Sequence, residues 1–285
     1  MRRAPLAVLL GVLCFGGVGG AGCMAMPSPL APGQHGSLGT PTAGVLTEAR
    51  ELPPAGPGYA WFRSRPTHYG TSTLTDMIAD AAAQACPSTE APPLLVGDLS
   101  AAHGGRLPGH RSHRVGRDAD LLFFYTTPAG VPVTAPGFVR VGADGLAFVP
   151  PEAGGPTFVR FDVARAWSLV RALVTSEQGQ VLWIFISRPV EALLIEYARA
   201  QHEEPYVLWQ AESILQQPTD SLPHDDHMHL RVACSAAGLI AGCDDGGPLW
   251  PWRPPPPALS LDDETLAALI REDDAVVAAS VSMAP

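Results

Sequence analysis

Proline and glycine punctuate this chain so densely, at 30 and 29 of its 285 residues, that they point to a loop-rich protein rather than a helical bundle. Each proline fixes φ and withholds a backbone donor, and each interior glycine weakens a helix, so the regular elements must be short. Hydrophobic residues, at 46 %, still allow a sizeable core, and the length suits one domain with tails. The formal net charge of -10 argues against a nucleic-acid or anionic-lipid surface as the main partner, because both call for clustered basic residues. No run of like charges is long enough to be a solvating tail.

Between these breaks the apolar pattern predicts a mixed order of elements. Residues 73–85 have helical spacing (Leu74, Ile78, Ala81, Ala85) and stop before Pro87. Residues 94–97 read as a short buried strand and 120–125 as another, followed by a turn around Pro128-Ala-Gly130. Residues 157–161 look extended, 163–176 helical, 181–186 strongly β-prone and 190–201 helical, while 227–232 alternate as a strand does. Strands interspersed with helices and no βαβ rhythm give an α+β class, and no internal repeat is present. Residues 24 to about 43 have the Pro/Gly/Ser content of a flexible tether, so folded structure is expected to start near Val45. Pro254 to Pro257 forbid helix or central strand, and residues 259–279 have the spacing of a small amphipathic helix.

The N-terminus reads as an export signal. Arg2 and Arg3 precede an apolar run, Leu6 to Phe15, that is too short to span a bilayer. Small residues then lead to Gly-Ala-Gly-Cys23, which resembles a bacterial lipoprotein cleavage site, with Gly20 where an aliphatic residue is usual. Lipidation of Cys23 and plain signal cleavage are the two readings; cleavage before Cys23 leaves 16 basic against 28 acidic residues, a net of -12. Export to an oxidising compartment favours a local disulfide between Cys234 and Cys243, and leaves Cys86 as a small buried hydrophobe on a helix.

Five of the nine histidines fall in two short clusters, His110-Arg-Ser-His113 and His224-Asp-Asp-His227-Met-His229, and the first runs on through Gly116 to Asp118-Ala-Asp120. A His and an Asp seven apart with a glycine between them can face one ion across a bend. A His-x-His pair on a strand turns both imidazoles to one face. Two histidines and one aspartate form the three-ligand set of a catalytic zinc site, whose fourth position takes a water acidified to a pKa of roughly 7. Other chemistries fit less well. Pro205 interrupts His202-Glu-Glu, Ser112 lacks a nucleophile elbow, and Gly104-Gly105 reads as a turn rather than a phosphate cradle.

These stretches resemble the penicillin-insensitive murein endopeptidases, within the wider group of zinc peptidases that includes lysostaphin-type enzymes and D-Ala-D-Ala metallopeptidases. The likeness rests on Gly97-Asp-Leu-Ser100, Gly104-Gly105, Gly109 to His113, Gly116 to Asp120 and His224 to Arg231, in that order, with weaker matches upstream and Cys234 at a disulfide position. It spans roughly residues 36 to 234. The resemblance implies that His113, Asp120 and His229 hold Zn2+ and that His227 acts beside the metal as the catalytic base or transition-state stabiliser. His110, His224, Asp118 and Asp226 become supporting or substrate-contacting residues, with a second metal left open. The implied fold is a small antiparallel sheet flanked by helices and long loops, with zinc in a groove on the sheet. The implied substrate is peptidoglycan, cut at D-alanyl to meso-diaminopimelyl cross-links in the periplasm.

The implied organisation is a signal peptide at 1–22, a tether at 23–43, a metallopeptidase domain at 44–252 and a Pro-rich linker and tail at 253–285. A lipid on Cys23 would anchor the protein to the outer membrane. Ser221-Leu-Pro223 stands where relatives usually carry an aromatic residue. A carboxypeptidase of the same zinc group and a non-catalytic wall-binding lipoprotein are the competing readings.

Overall fold

The computed structural model describes residues 35–88, 90–151 and 157–255. The expected signal peptide, the lipidation of Cys23 and the helix at 259–279 lie outside these residues. Among the described residues no helix is long and apolar enough to cross a membrane.

A seven-stranded sheet organises the molecule: β1 (Ala55–Gly56), β2 (Tyr59–Trp61), β3 (Leu94–Val96), β4 (Asp118–Leu122), β5 (Val181–Phe185), β6 (Leu215–Gln216) and β7 (His227–Val232). Its spatial order is β6-β5-β7-β4-β3-β2-β1. The central run β5-β7-β4-β3 is antiparallel, whereas β6 joins β5, and β2 joins β3, in parallel. The expected antiparallel sheet is therefore the middle of a mixed one. Among the described residues five helices accompany it: α1 (Ser72–Ala85), α2 (Val163–Val174), α3 (Arg188–Ala200), α4 (Pro205–Ile214) and α5 (Ala236–Ala241). A smaller four-stranded antiparallel sheet, built from Tyr125–Thr126, Pro132–Val133, Leu146–Phe148 and Phe158–Phe161, completes the α+β architecture.

Period-two alternation decides which face of the large sheet is apolar. On β7, Met228, Leu230 and Val232 enter the core with Ala119 and Leu121 of β4 and Ile184 of β5. Apolar residues of α1 to α4 fill the same core, including Leu74, Ile78, Leu169, Leu194 and Val207. Each such Leu or Ile contributes about 1.5–3 kcal/mol through burial. The alternate residues, His227, His229 and Arg231 on β7 and Asp118 and Asp120 on β4, are thereby turned to the opposite face.

Most predicted elements are present within a few residues of their expected ends. Thr71 caps α1, its hydroxyl accepting from Leu74 N at 3.3 Å. The strand expected at 120–125 instead starts at Asp118 and breaks at Phe123-Phe124, and Tyr125–Thr126 pairs in the smaller sheet. Helix α4 was not anticipated. Its signal is Glu204-Pro205, where the Glu204 carboxylate accepts from Val207 N at 2.9 Å and Pro205 opens the first turn. Ordered chain also starts ahead of residue 44, because Ser37–Thr40 pairs with Ala43–Leu46 across a Gly39-containing hairpin. Cys234 and Cys243 are bonded, and Cys86 is a buried free thiol at the end of α1.

Candidate metal centre

Strands β4 and β7 supply half of the centre by register alone. His229 lies opposite Asp120 and Arg231 opposite Asp118, and His227 projects to the same face two residues before His229. The other half comes from the long loop between β3 and β4. Gly104 (φ 68°) and Gly105 (φ 77°) turn it; a Cβ at Gly104 would lie 2.2 Å from Arg114 O, so only glycine fits there. Further on, His113 itself adopts φ 62°, a left-handed conformation that costs a side-chain-bearing residue about 1 kcal/mol or more. The loop holds that strain with two bonds: His113 N donates to Asp118 Oδ2 at 3.0 Å, and His113 Nδ1 lies 2.6 Å from Leu99 O. A carbonyl only accepts, so Nδ1 carries a proton and, in the neutral ring, Nε2 holds the lone pair.

That Nε2 meets the strands at one point. It lies 3.2 Å from Asp120 Oδ1 and 3.3 Å from His229 Nδ1, and His229 Nδ1 is 3.2 Å from the same Asp120 oxygen. Asp120 Oδ1 and His229 Nε2 are buried yet have no aligned hydrogen-bond partner. A buried polar group in that condition is costly. The three converging atoms are spaced as the ligands of a tetrahedral ion are, since bonds of about 2.0–2.1 Å give ligand–ligand edges of roughly 3.3–3.4 Å. The residues present therefore fit a zinc-sized cation.

Around this trio stand the other histidines. His227 Nε2 is 3.4 Å from Asp120 Oδ1, and its Nδ1 is fixed 2.6 Å from Asp226 Oδ1. Burial opposes its charge, but Asp120 and Asp226 outweigh burial and raise its pKa to about 9. Burial likewise opposes charge on His113, and Asp120 and Asp118 again prevail, raising it. His224 behaves oppositely. Burial first, then His229 and His227, lower it to about 3, and its Nδ1 is buried without a partner. His110 Nε2 lies 3.2 Å from Asp98 Oδ2, while its Nδ1 is 3.8 Å from Asp120 Oδ2. Within 4.8 Å of one another, His110, His113 and Asp120 form one potential ligand group, and His224, His227 and His229 a second.

Asp118 joins the two halves. Fully buried, it accepts from His113 N, from Arg231 Nε at 2.6 Å and from Arg231 Nη2 at 3.3 Å, and it lies 3.3 Å from His229 Nε2. Burial resists its ionisation, but Arg231 and the histidines hold its pKa well below the carboxylate range. The same balance, with His113 and His227 as counter-charges, holds Asp120 well below it.

The structure thus brings together His110, His113, Asp118, Asp120, His224, Asp226, His227 and His229. Asp98 and Arg231 also enter the site, although the motifs that contain them assign neither a role. Arg231 was findable, because it falls two residues after His229 on the same strand face. The Leu99 carbonyl and the Thr67 hydroxyl, which donates to Asp98 Oδ1 at 2.5 Å, left no sequence signal.

Comparison with known proteins gives the same direction. Residues 37–135 match the family model described as penicillin-insensitive murein endopeptidase, a stretch that contains the first histidine cluster and Asp118 to Asp120. A relative named penicillin-insensitive murein endopeptidase from Haemophilus influenzae is 26% identical over 251 residues, covering 82% of this chain and 79% of its own length. A relative of the same name from Klebsiella pneumoniae is 24% identical over 260 residues, covering 90% and 84%.

Proposed function

We propose that this chain is a member of the penicillin-insensitive murein endopeptidase family, a reading supported by the match over residues 37–135 and by the two relatives, and that it is a zinc-dependent hydrolase of D-alanyl to meso-diaminopimelyl cross-links in peptidoglycan. The observation that carries the reading is the convergence of His113 Nε2, His229 Nδ1 and Asp120 Oδ1 within 3.2–3.3 Å, with Asp120 Oδ1 buried and without an aligned hydrogen bond.

His113, Asp120 and His229 hold the metal. When bound, zinc supplies Lewis acidity toward the scissile carbonyl and an acidified water as nucleophile. His113 presents Nε2 because the Leu99 carbonyl takes the Nδ1 proton. Asp118 steadies His229 and the strained His113 backbone together. His227, aimed by Asp226, shuttles the proton toward the leaving amine through Nε2. His224 stays neutral and lines the site. Asp226 Oδ1 is engaged with His227 Nδ1, which favours His227 as the group that handles the proton.

The rest of the organisation follows from that substrate. Residues 1–22 direct export, Cys23 anchors the protein by lipid at the outer membrane, and the metallopeptidase domain, which takes in the strand Ser37–Thr40 ahead of the expected start at 44, works in the periplasm, followed by the Pro-rich tail.

Digestion of purified peptidoglycan sacculi with and without a chelator tests this reading, with mass spectrometry of the products. Chelator-sensitive conversion of cross-linked dimers to monomers is expected. Loss of terminal alanine with dimers intact would replace the reading with a carboxypeptidase. No change from zinc-loaded protein would leave a wall-binding role.

A further inference from the structure

Beside His227 the rim is built by residues that the proposed chemistry has not used. Phe138 is 41 % exposed, yet it sets its ring edge-on to His227, with centroids 5.1 Å apart, and meets Phe62 at 5.5 Å. It lies over Gly97, where a Cβ would come 3.4 Å from Phe138 Cζ and 3.2 Å from Asp120 Cβ. Gly97 thus leaves close packing space between the ring and Asp120. Val141 N donates to Asp225 O at 2.8 Å, tying the Phe138 loop to the segment that leads into His227.

Between these anchors stands Arg140. Its side chain is 75 % exposed, and its Nε reaches Asp225 Oδ1 only at 3.7 Å, beyond hydrogen-bonding range. An exposed pair at that separation holds a guanidinium weakly, so most of its donor fork is free for a ligand. Asp225 itself has its pKa raised, by burial first, while Arg140 acts against that rise.

The geometry points to Phe138 and Arg140 as specificity-determining residues for the leaving half of the substrate, Phe138 against its aliphatic stem and Arg140 on its free α-carboxylate. This rests on the proposed endopeptidase reading. In that reaction the amide C–N bond breaks, the water oxygen joins the carbonyl carbon, and a proton passes to the departing nitrogen on the side where His227 stands. Groups packed around His227 therefore face the leaving residue. In a D-alanyl to meso-diaminopimelyl link, the carbon that bears the scissile nitrogen also bears a carboxylate and a methylene chain. A planar guanidinium and an aromatic ring carried on one short loop match that pair of features. The carboxylate is bound and not consumed.

The test uses two cross-linked muropeptide dimers that differ only in whether the diaminopimelyl carboxylate next to the cross-link is free or amidated. kcat and KM are measured for the zinc-loaded full-length protein and for R140A, R140K and F138A, with zinc content and Tm recorded for each. Wild type is expected to favour the free carboxylate by about 10- to 100-fold in kcat/KM, the scale of a charge-assisted contact. In R140A that preference should collapse toward unity through KM, R140K should keep part of it, and F138A should weaken both substrates alike while keeping the preference. A wild type without preference, or an R140A or R140K that keeps it in full, overturns the assignment. Wild type inert on both dimers while holding zinc overturns the endopeptidase reading itself, and this inference with it.

Discussion

The two histidine clusters reach the same point by different physics. His227 and His229 sit on β7, where regular alternation aims them and the β4 register sets His229 opposite Asp120. His113 sits in a loop, at φ 62°, and reaches the centre only because Asp118, Leu99 O and the Gly104-Gly105 turn hold it there. A strand-borne ligand draws its position from the ladder, which many hydrogen bonds share. A loop-borne ligand depends on a few contacts, so each one matters more. The first cluster should therefore be the fragile half of the site.

The sharpest test is substitution within each half. His113→Ala should abolish both zinc retention and turnover, whereas His227→Ala should keep zinc and lose turnover. Metal analysis beside a dimer-cleavage assay reads both, and unchanged turnover in the second variant would remove His227 from its role. Next in size is Asp118→Ala, which leaves the partly buried Arg231 without its carboxylate partner and frees the His113 backbone. Breaking such a buried pair costs about 3–5 kcal/mol, and zinc affinity should fall about 10- to 100-fold. Denaturant unfolding and zinc titration measure the two effects, and a variant with wild-type affinity would show that Asp118 does not couple the halves.

Charge on His227 gives the third prediction. Its folded pKa is raised to about 9. Its stabilisation of the metal-free protein is thus fully present below the unfolded value near 6.5 and is lost as pH rises through about 9. Metal-free protein should lose on the order of 3 kcal/mol between those limits, and His227→Gln should flatten the profile. Zinc binding at pH 7 should release protons, since His113 must give up its raised share to coordinate, and calorimetry in buffers of different ionisation enthalpy would count them.

Smaller again is the turn. Gly104→Ala forces a Cβ against Arg114 O, whereas Gly105→Ala meets open space at a similar φ. The first should cost about 2 kcal/mol or more and the second about 1 kcal/mol, with Tm as the readout. Equal losses would mean that the turn tolerates movement and that His113 is less tightly held than its contacts imply. The smallest effect belongs to Arg111→Ala. Its ion pair with Asp220 is exposed on both sides, so stability should change by less than about 0.5 kcal/mol.

The sequence by itself determined the α+β class, the apolar stripes of α1 to α3 and the strand that carries His227 and His229, because each follows from a period of two or near 3.6 within one short window. It also displayed the histidine spacing and the pair Cys234 and Cys243. Tertiary structure alone decided the rest. Parallel pairing of β2 with β3 and of β6 with β5 joins segments about 30 residues apart in the chain. The Leu99 carbonyl that selects the His113 tautomer, and the Phe138 ring against His227, come from residues with no local pattern to mark them. Periodicity reports what neighbours along the chain share. The loop geometry that closes this centre depends on contacts between distant residues, which only the folded chain brings together.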